Sequence, residues 1–295
     1  MQEQTLATEQ DLLRRVKAHL AVISPAQDLD VLSGDLVTAI SRGHDVQRPV
    51  PHKSHWDQSD SVVITYGNTI KKQNELPLVT LRRFLNTHLK ETVSTVHILP
   101  FFPFSSDDGF SVIDYLGVNP AIGGWREIED IAGDFKLMSD LVINHVSRQS
   151  RWFDNFRNGE TPGKGYFVEA DPDEDYSAVV RPRNSPLFSS VETVDGERHV
   201  WCTFSSDQID LNFRNPDVLR EFVQIVRRYL DHGVSIFRMD AVPFLWKEPG
   251  TSCVHLQQTH EIIKLFRTLI EHHSPEALII CENNVPNREN LTYFG

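Results

Sequence analysis

Apolar residues fall along this chain in two rhythms, and the alternation between them predicts its architecture. Short, mostly apolar runs recur at residues 61–66, 95–100, 137–143, 234–240 and 277–282. That is the pattern of strands covered on both faces of a parallel sheet. Between the runs, apolar residues recur every three or four positions, as on the buried stripe of a helix. Leu81, Phe84, Leu85 and Leu89 form one stripe, Val218, Phe222, Val223, Val226 and Leu230 a second, and Ile262, Ile263, Phe266 and Ile270 a third. A shorter helix is expected around residues 125–131. Thr80 is the expected N-cap of the first stripe, and Asn215-Pro216 opens the second. Strand, helix and strand in this order imply βαβ units.

Two stretches depart from that rhythm. Before the first strand, Leu12, Leu13, Val16 and Leu20 predict a helix that Ser24-Pro25 stops, and a Pro- and His-bearing link follows at residues 48–52. Residues 148–206 hold Gly and Pro turns, an acidic patch (Asp171, Asp173, Glu174, Asp175) and a hairpin across Asp195-Gly196. We expect an inserted lid there, with the acidic patch as a solvated face. The expected domains are a helical segment 1–54, a first barrel part 55–147, the lid 148–206 and a second barrel part 207–295.

Candidate chemistry sits at two strand ends. The fourth and fifth runs stop abruptly at Asp240 and Glu282, where α/β sheets keep their reactive groups. Arg238 lies two residues before Asp240, so both side chains project from one face. A cation there is expected to lower the acid's pKa and keep it ionised, as a nucleophile requires. Two carboxylates on neighbouring strands suit a sugar-transferring site, although a structural ion pair explains Arg238 and Asp240 equally well. With 295 residues, one barrel or two smaller domains are within reach. The net charge of -12 argues against nucleic acid or an anionic membrane as partner. Cys202, Cys253 and Cys281 lack metal-ligand spacing, the N-terminus does not resemble a signal peptide, and no run is long enough to span a bilayer. A soluble cytoplasmic protein is expected.

Asp140-x-x-x-Asn144-His145, Arg238-x-Asp240 and Glu282, in that order, resemble the α-amylase family of glycoside hydrolases. More narrowly the chain resembles the sucrose phosphorylase branch, with its glucosylglycerate and sucrose 6-phosphate phosphorylases. Leu99-Pro100-Phe101-Phe102-Pro103, Gly109-Phe110-x-x-x-Asp114-Tyr115, Arg181-Pro182-Arg183 and Gln208-Ile209-Asp210-Leu211-Asn212 carry the narrower resemblance. So do Phe244-Leu245-Trp246-Lys247-Glu248 and the tail Asn284-Val285-Pro286-Asn287-Arg288-Glu289-Asn290; the resemblance covers the chain from about residue 55 to the end.

The resemblance implies an α/β fold of (β/α)8 TIM-barrel type, represented here through the fifth strand, with the lid inserted after strand 3. It makes Asp240 the nucleophile and Glu282 the proton donor of a retaining pair, whose carboxyls stand about 5 Å apart. Arg238, His145, Asp114, Tyr115, Phe110 and Asn68 would bind the substrate. Asn68 stands where these phosphorylases carry an acid. The implied partners are a small sugar substrate and inorganic phosphate, which takes the glucosyl group to give α-glucose 1-phosphate. No cofactor and no metal are expected. Pro243-Phe244 occupy the stretch where calcium-binding amylases place a His, which leaves Asn144 as a hydrogen-bonding residue. A third carboxylate after a seventh strand has no counterpart before Gly295, so a piece of a longer protein is expected. The alternatives are an amylase-type hydrolase or transglucosidase and, in another class, a non-catalytic remnant.

Overall fold

The computed structural model describes residues 2–41, 43, 56–171, 173–283 and 286–293. The expected link at residues 48–52 lies outside the described residues, as do Asn284 and Val285 of the tail motif. Five parallel strands form the central sheet: β1 (Val62–Thr65), β2 (Thr95–Ile98), β3 (Lys136–Val142), β8 (Val234–Asp240) and β9 (Leu278–Cys281). Their order in space is their order in the chain. A doubly wound sheet reverses direction at a switch point, whereas a barrel wall adds each new strand on the same side. The observed order is that of a barrel wall.

Between the strands run α3 (Pro77–His88), α4 (Trp125–Ala132), α6 (Pro216–Asp231) and α7 (Gln257–His273). Asn215 caps α6 by accepting from the Asp217 N–H at 3.0 Å, and Pro216 occupies its first position. Thr80, expected as an N-cap, instead lies inside α3. Pro77 starts that helix one turn earlier, and the Thr80 hydroxyl bonds Glu75. The edge strands depart from the expectation of burial on both faces. Val62 and Ile64 of β1 are 52% and 62% exposed and Ile280 of β9 is 47% exposed, because each strand has a single neighbour among the described residues.

The excursion after β3 is framed by an antiparallel pair, β4 (His145–Ser147) with β7 (Gln208–Asp210). Between these lie α5 (Arg151–Asn158) and the hairpin β5 (Phe188–Thr193) and β6 (Gly196–Trp201). Trp201 and Ala170 form a small core of their own with Cys253 from the segment before α7, which fastens the excursion to the sheet. The acidic residues Asp171, Asp173, Glu174 and Asp175 are exposed.

A third layer lies outside the helices. Helix α1 (Gln2–Ile23) packs on α7, and α2 (Leu29–Ser41) packs on α6. Leu12, Val16 and Leu20 are fully buried there. Polar contacts fix the orientation: Arg15 to Glu271 at 2.5 Å, His19 to Glu261 at 2.7 Å and Arg220 to Asp35 at 2.8 Å. No described helix is long and apolar enough to cross a membrane.

Candidate active site

The carboxyl ends of β3, β8 and β9 open into a pocket of about 730 Å³. Asp240 and Glu282 both line it. The Glu282 N–H donates to Met239 O at 2.9 Å, continuing the ladder one residue past β9 and setting Glu282 beside Asp240. One guanidinium faces three carboxylates. Arg238 Nη1 donates to Asp140 Oδ1 at 2.5 Å and to Asp240 Oδ1 at 3.3 Å, and Nη2 lies 3.9 Å from Glu282 Oε1. Beneath it, Asp140 is fully buried and its second oxygen meets His97 Nε2 at 2.7 Å. Burial works against the Arg238 charge, but Asp140, Asp240 and Glu282 together hold its pKa above the ordinary value.

The expectation that Arg238 keeps Asp240 readily ionised is corrected by this arrangement. Asp240 is 9% exposed, and burial pushes its pKa up to about 7, with repulsion from Glu282, Asp140 and Asp107 adding to the effect. The guanidinium opposes the rise without cancelling it, because its shortest bond goes to Asp140.

Phe110 and His145 also line the pocket. Phe110 lies under Arg238, with the guanidinium carbon 5.7 Å from the ring centre. His145 is 1% exposed and both ring nitrogens are engaged: Nε2 donates to Phe110 O at 2.9 Å and Nδ1 accepts from the Asn144 amide at 3.3 Å. Burial lowers its pKa and favours the neutral ring. The other three expected residues are placed elsewhere. Tyr115 is buried beneath the site, donating to Val142 O and His145 O. Asp114 is exposed and accepts from Leu116 N in its own turn, and Asn68 is exposed on the turn after β1.

Asp107 is a pocket-lining acid that sequence reasoning missed. It is held by Gln208 Nε2 at 2.9 Å. Asp107, Asp108 and Gly109 have φ of 55°, 49° and 110°, three successive left-handed residues that turn the loop back over the strand ends. Gly109 is obligatory, since a Cβ would lie 2.9 Å from Pro100. Asp207 anchors the same loop by accepting from the hydroxyls of Ser105, Ser106 and Ser111. A run of Asp-Asp-Gly reads as an ordinary turn, so only the backbone angles disclose which acid points inward.

Lys247 is the second missed residue. Its ammonium is buried, donating to Asn144 Oδ1 at 2.8 Å and meeting Asp210 Oδ2 at 2.6 Å. Burial lowers its pKa against the pull of Asp210. Among the described residues no three His, Cys, Asp or Glu side chains converge as a metal site.

Residues 88–295 match the family described as alpha amylase, catalytic domain. The chain is similar to glucosylglycerate phosphorylase of Allomeiothermus silvanus, 48% identical over 240 residues that cover 81% of this chain and 43% of that protein. It is also similar to glucosylglycerate phosphorylase of Escherichia coli, 47% identical over 244 residues covering 82% and 44%. Among solved structures, sucrose 6F-phosphate phosphorylase from Thermoanaerobacter thermosaccharolyticum superposes with a TM-score of 0.68 at 27% identity, over 77% of this chain and 49% of that one. The chain thus spans less than half the length of the curated relatives it matches, and its sheet corresponds to part of a TIM barrel.

Proposed function

Since this chain belongs to the α-amylase catalytic-domain family, we propose that it carries the glucosyl-transferring half of a retaining α-glucoside phosphorylase. The donor is a glucosylglycerate- or sucrose-like α-glucoside, and the acceptor is inorganic phosphate. The observation that carries this reading is the convergence of Asp240 and Glu282 on one guanidinium within one pocket. In the first step an Asp240 oxygen attacks the anomeric carbon while Glu282 protonates the departing oxygen. A covalent glucosyl ester results. Phosphate then attacks the same carbon, Glu282 takes back the proton, and α-glucose 1-phosphate leaves with its configuration retained. Arg238 holds both acids in register, and Asp107 accepts from hydroxyls at the far side of the ring.

Phosphate needs a cation that the carboxylates leave available. Arg183 lines the same pocket and makes no ion pair among the described residues. Arg183→Ala is expected to raise the KM for phosphate about tenfold, the scale of one charge-assisted hydrogen bond. Initial rates at varied phosphate and fixed donor measure it.

The reading as a whole is tested by incubating the protein with an α-glucosylglycerate and following the anomeric proton by NMR. Phosphate-dependent appearance of α-glucose 1-phosphate is expected. Glucose release that proceeds equally without phosphate would replace the proposal with an amylase-type hydrolase or transglucosidase.

A further inference from the structure

The segment between β8 and α7 contains an unusual pair of bends, and they aim one side chain at the reaction. Cys253 and His255 both adopt left-handed backbone, with φ of 54° and 58°. Such a backbone is strained for a residue with a side chain and persists where the surroundings over-determine it. The surroundings here do so. The Cys253 side chain is buried and accepts from the Glu248 N–H at 3.3 Å, and the His255 N–H donates to Pro243 O at 3.1 Å. The bends turn Ser252, Val254 and His255 toward the pocket that holds Asp240 and Glu282.

The imidazole is fixed from behind. His255 Nδ1 lies 2.7 Å from the hydroxyl of Tyr293, a residue only 8% exposed. Burial raises the Tyr293 pKa, so the phenol keeps its proton, and His255 Nδ1 is the hydrogen-bond acceptor the structure offers it. Donation from Tyr293 to Nδ1 leaves the hydrogen of the neutral ring on Nε2. His255 is half-buried, with burial lowering its pKa, so the neutral form prevails. Arg183 from the inserted excursion lines the same pocket.

Resting on the phosphorylase reading above, we propose that His255 reads the group that leaves the glucosyl unit, donating from Nε2 to an oxygen of a short hydroxylated acid. The chemistry of the surround selects that class. Asp107, Asp240, Glu282 and Glu289 line the pocket, and Glu289 draws the His255 pKa up against burial. Against these acids the lining offers an anionic leaving group two donors, the His255 N–H and the guanidinium of Arg183, which makes no ion pair among the described residues.

Histidine side-chain ¹⁵N NMR of the full chain, titrated with D-glycerate, tests this directly. A saturable shift of the His255 Nε2 resonance is expected, with Tyr293→Phe weakening the apparent affinity about three- to tenfold. In turnover, His255→Ala raises the KM for glucosylglycerate about tenfold with kcat altered less than threefold, because ground-state and transition-state binding are lost together. His255→Asn loses less, since Asn tolerates the left-handed backbone and keeps an N–H donor. An unmoved Nε2 resonance, or a loss confined to kcat, overturns the proposal. A wild-type chain that releases no glucose 1-phosphate instead sinks the phosphorylase reading, while the glycerate titration still decides the role of His255.

Discussion

Asp240→Asn is expected to abolish the proposed glucosyl transfer and to make the protein harder to unfold at pH 8. The first effect follows from chemistry: an amide cannot form the glucosyl ester, and a loss on the order of 10⁴-fold or more is expected for a nucleophile. The second follows from burial. The folded carboxyl titrates at about 7 against 3.8 when unperturbed. A raised folded pKa contributes stability that is fully present below about 3.8 and is lost as the pH climbs through about 7. Above that point the fold holds a carboxylate it disfavours, and the neutral amide relieves it. At roughly 1.4 kcal/mol per pH unit, the shift from 3.8 to about 7, in which the attraction to Arg238 is already netted against burial, corresponds to a gain of about 4 kcal/mol. Urea midpoints of wild type and variant at pH 4 and pH 8 measure it. The two proteins should differ little at pH 4 and most at pH 8. A variant that is weaker at pH 8 would mean that the guanidinium outweighs desolvation. The same titration places the acid limb of the kcat/KM profile near pH 7, far above that of an exposed carboxylate.

Much of the scaffold was legible because burial leaves a periodic trace. Strands β3, β8 and β9 are mostly apolar runs, and the stripe of α6 from Val218 to Val226 is buried as its spacing implied. The two acids were legible for a related reason, since a carboxylate that ends an apolar run must sit at a sheet edge. What was not legible depends on contacts across long separations or on backbone sign. Asp107 and Asp114 are seven residues apart on one loop, and the left-handed run 107–109 brings the first inward while the second serves its own turn. The protonation preference of Asp240 is set by what covers it, which no local pattern records. His145 has the position expected of a sugar-binding residue, but its ring nitrogens are spent on Phe110 and Asn144.

Lys247→Met is the substitution expected to damage the fold most. Asp210 is fully buried, and its carboxylate is shared among the Lys247 ammonium at 2.6 Å, the Thr203 hydroxyl at 2.5 Å and the Asn144 amide at 3.0 Å. Of these partners only Lys247 brings positive charge. Methionine fills a similar volume but leaves the carboxylate buried without a counter-ion, a change that costs about 3–5 kcal/mol in comparable pairs. The damage is focused, because Asp210 ends β7, Asn144 precedes β4, and these two strands frame the excursion over the pocket. Hydrogen exchange in residues 145–147 and 208–210 should therefore accelerate before that of β3 and β8. Adding Asp210→Asn to the variant removes the stranded charge while keeping an acceptor for Thr203, so the double variant should regain most of the lost stability. Equal instability of the single and double variants would show that packing of the lysine stem, and not charge, holds this junction together.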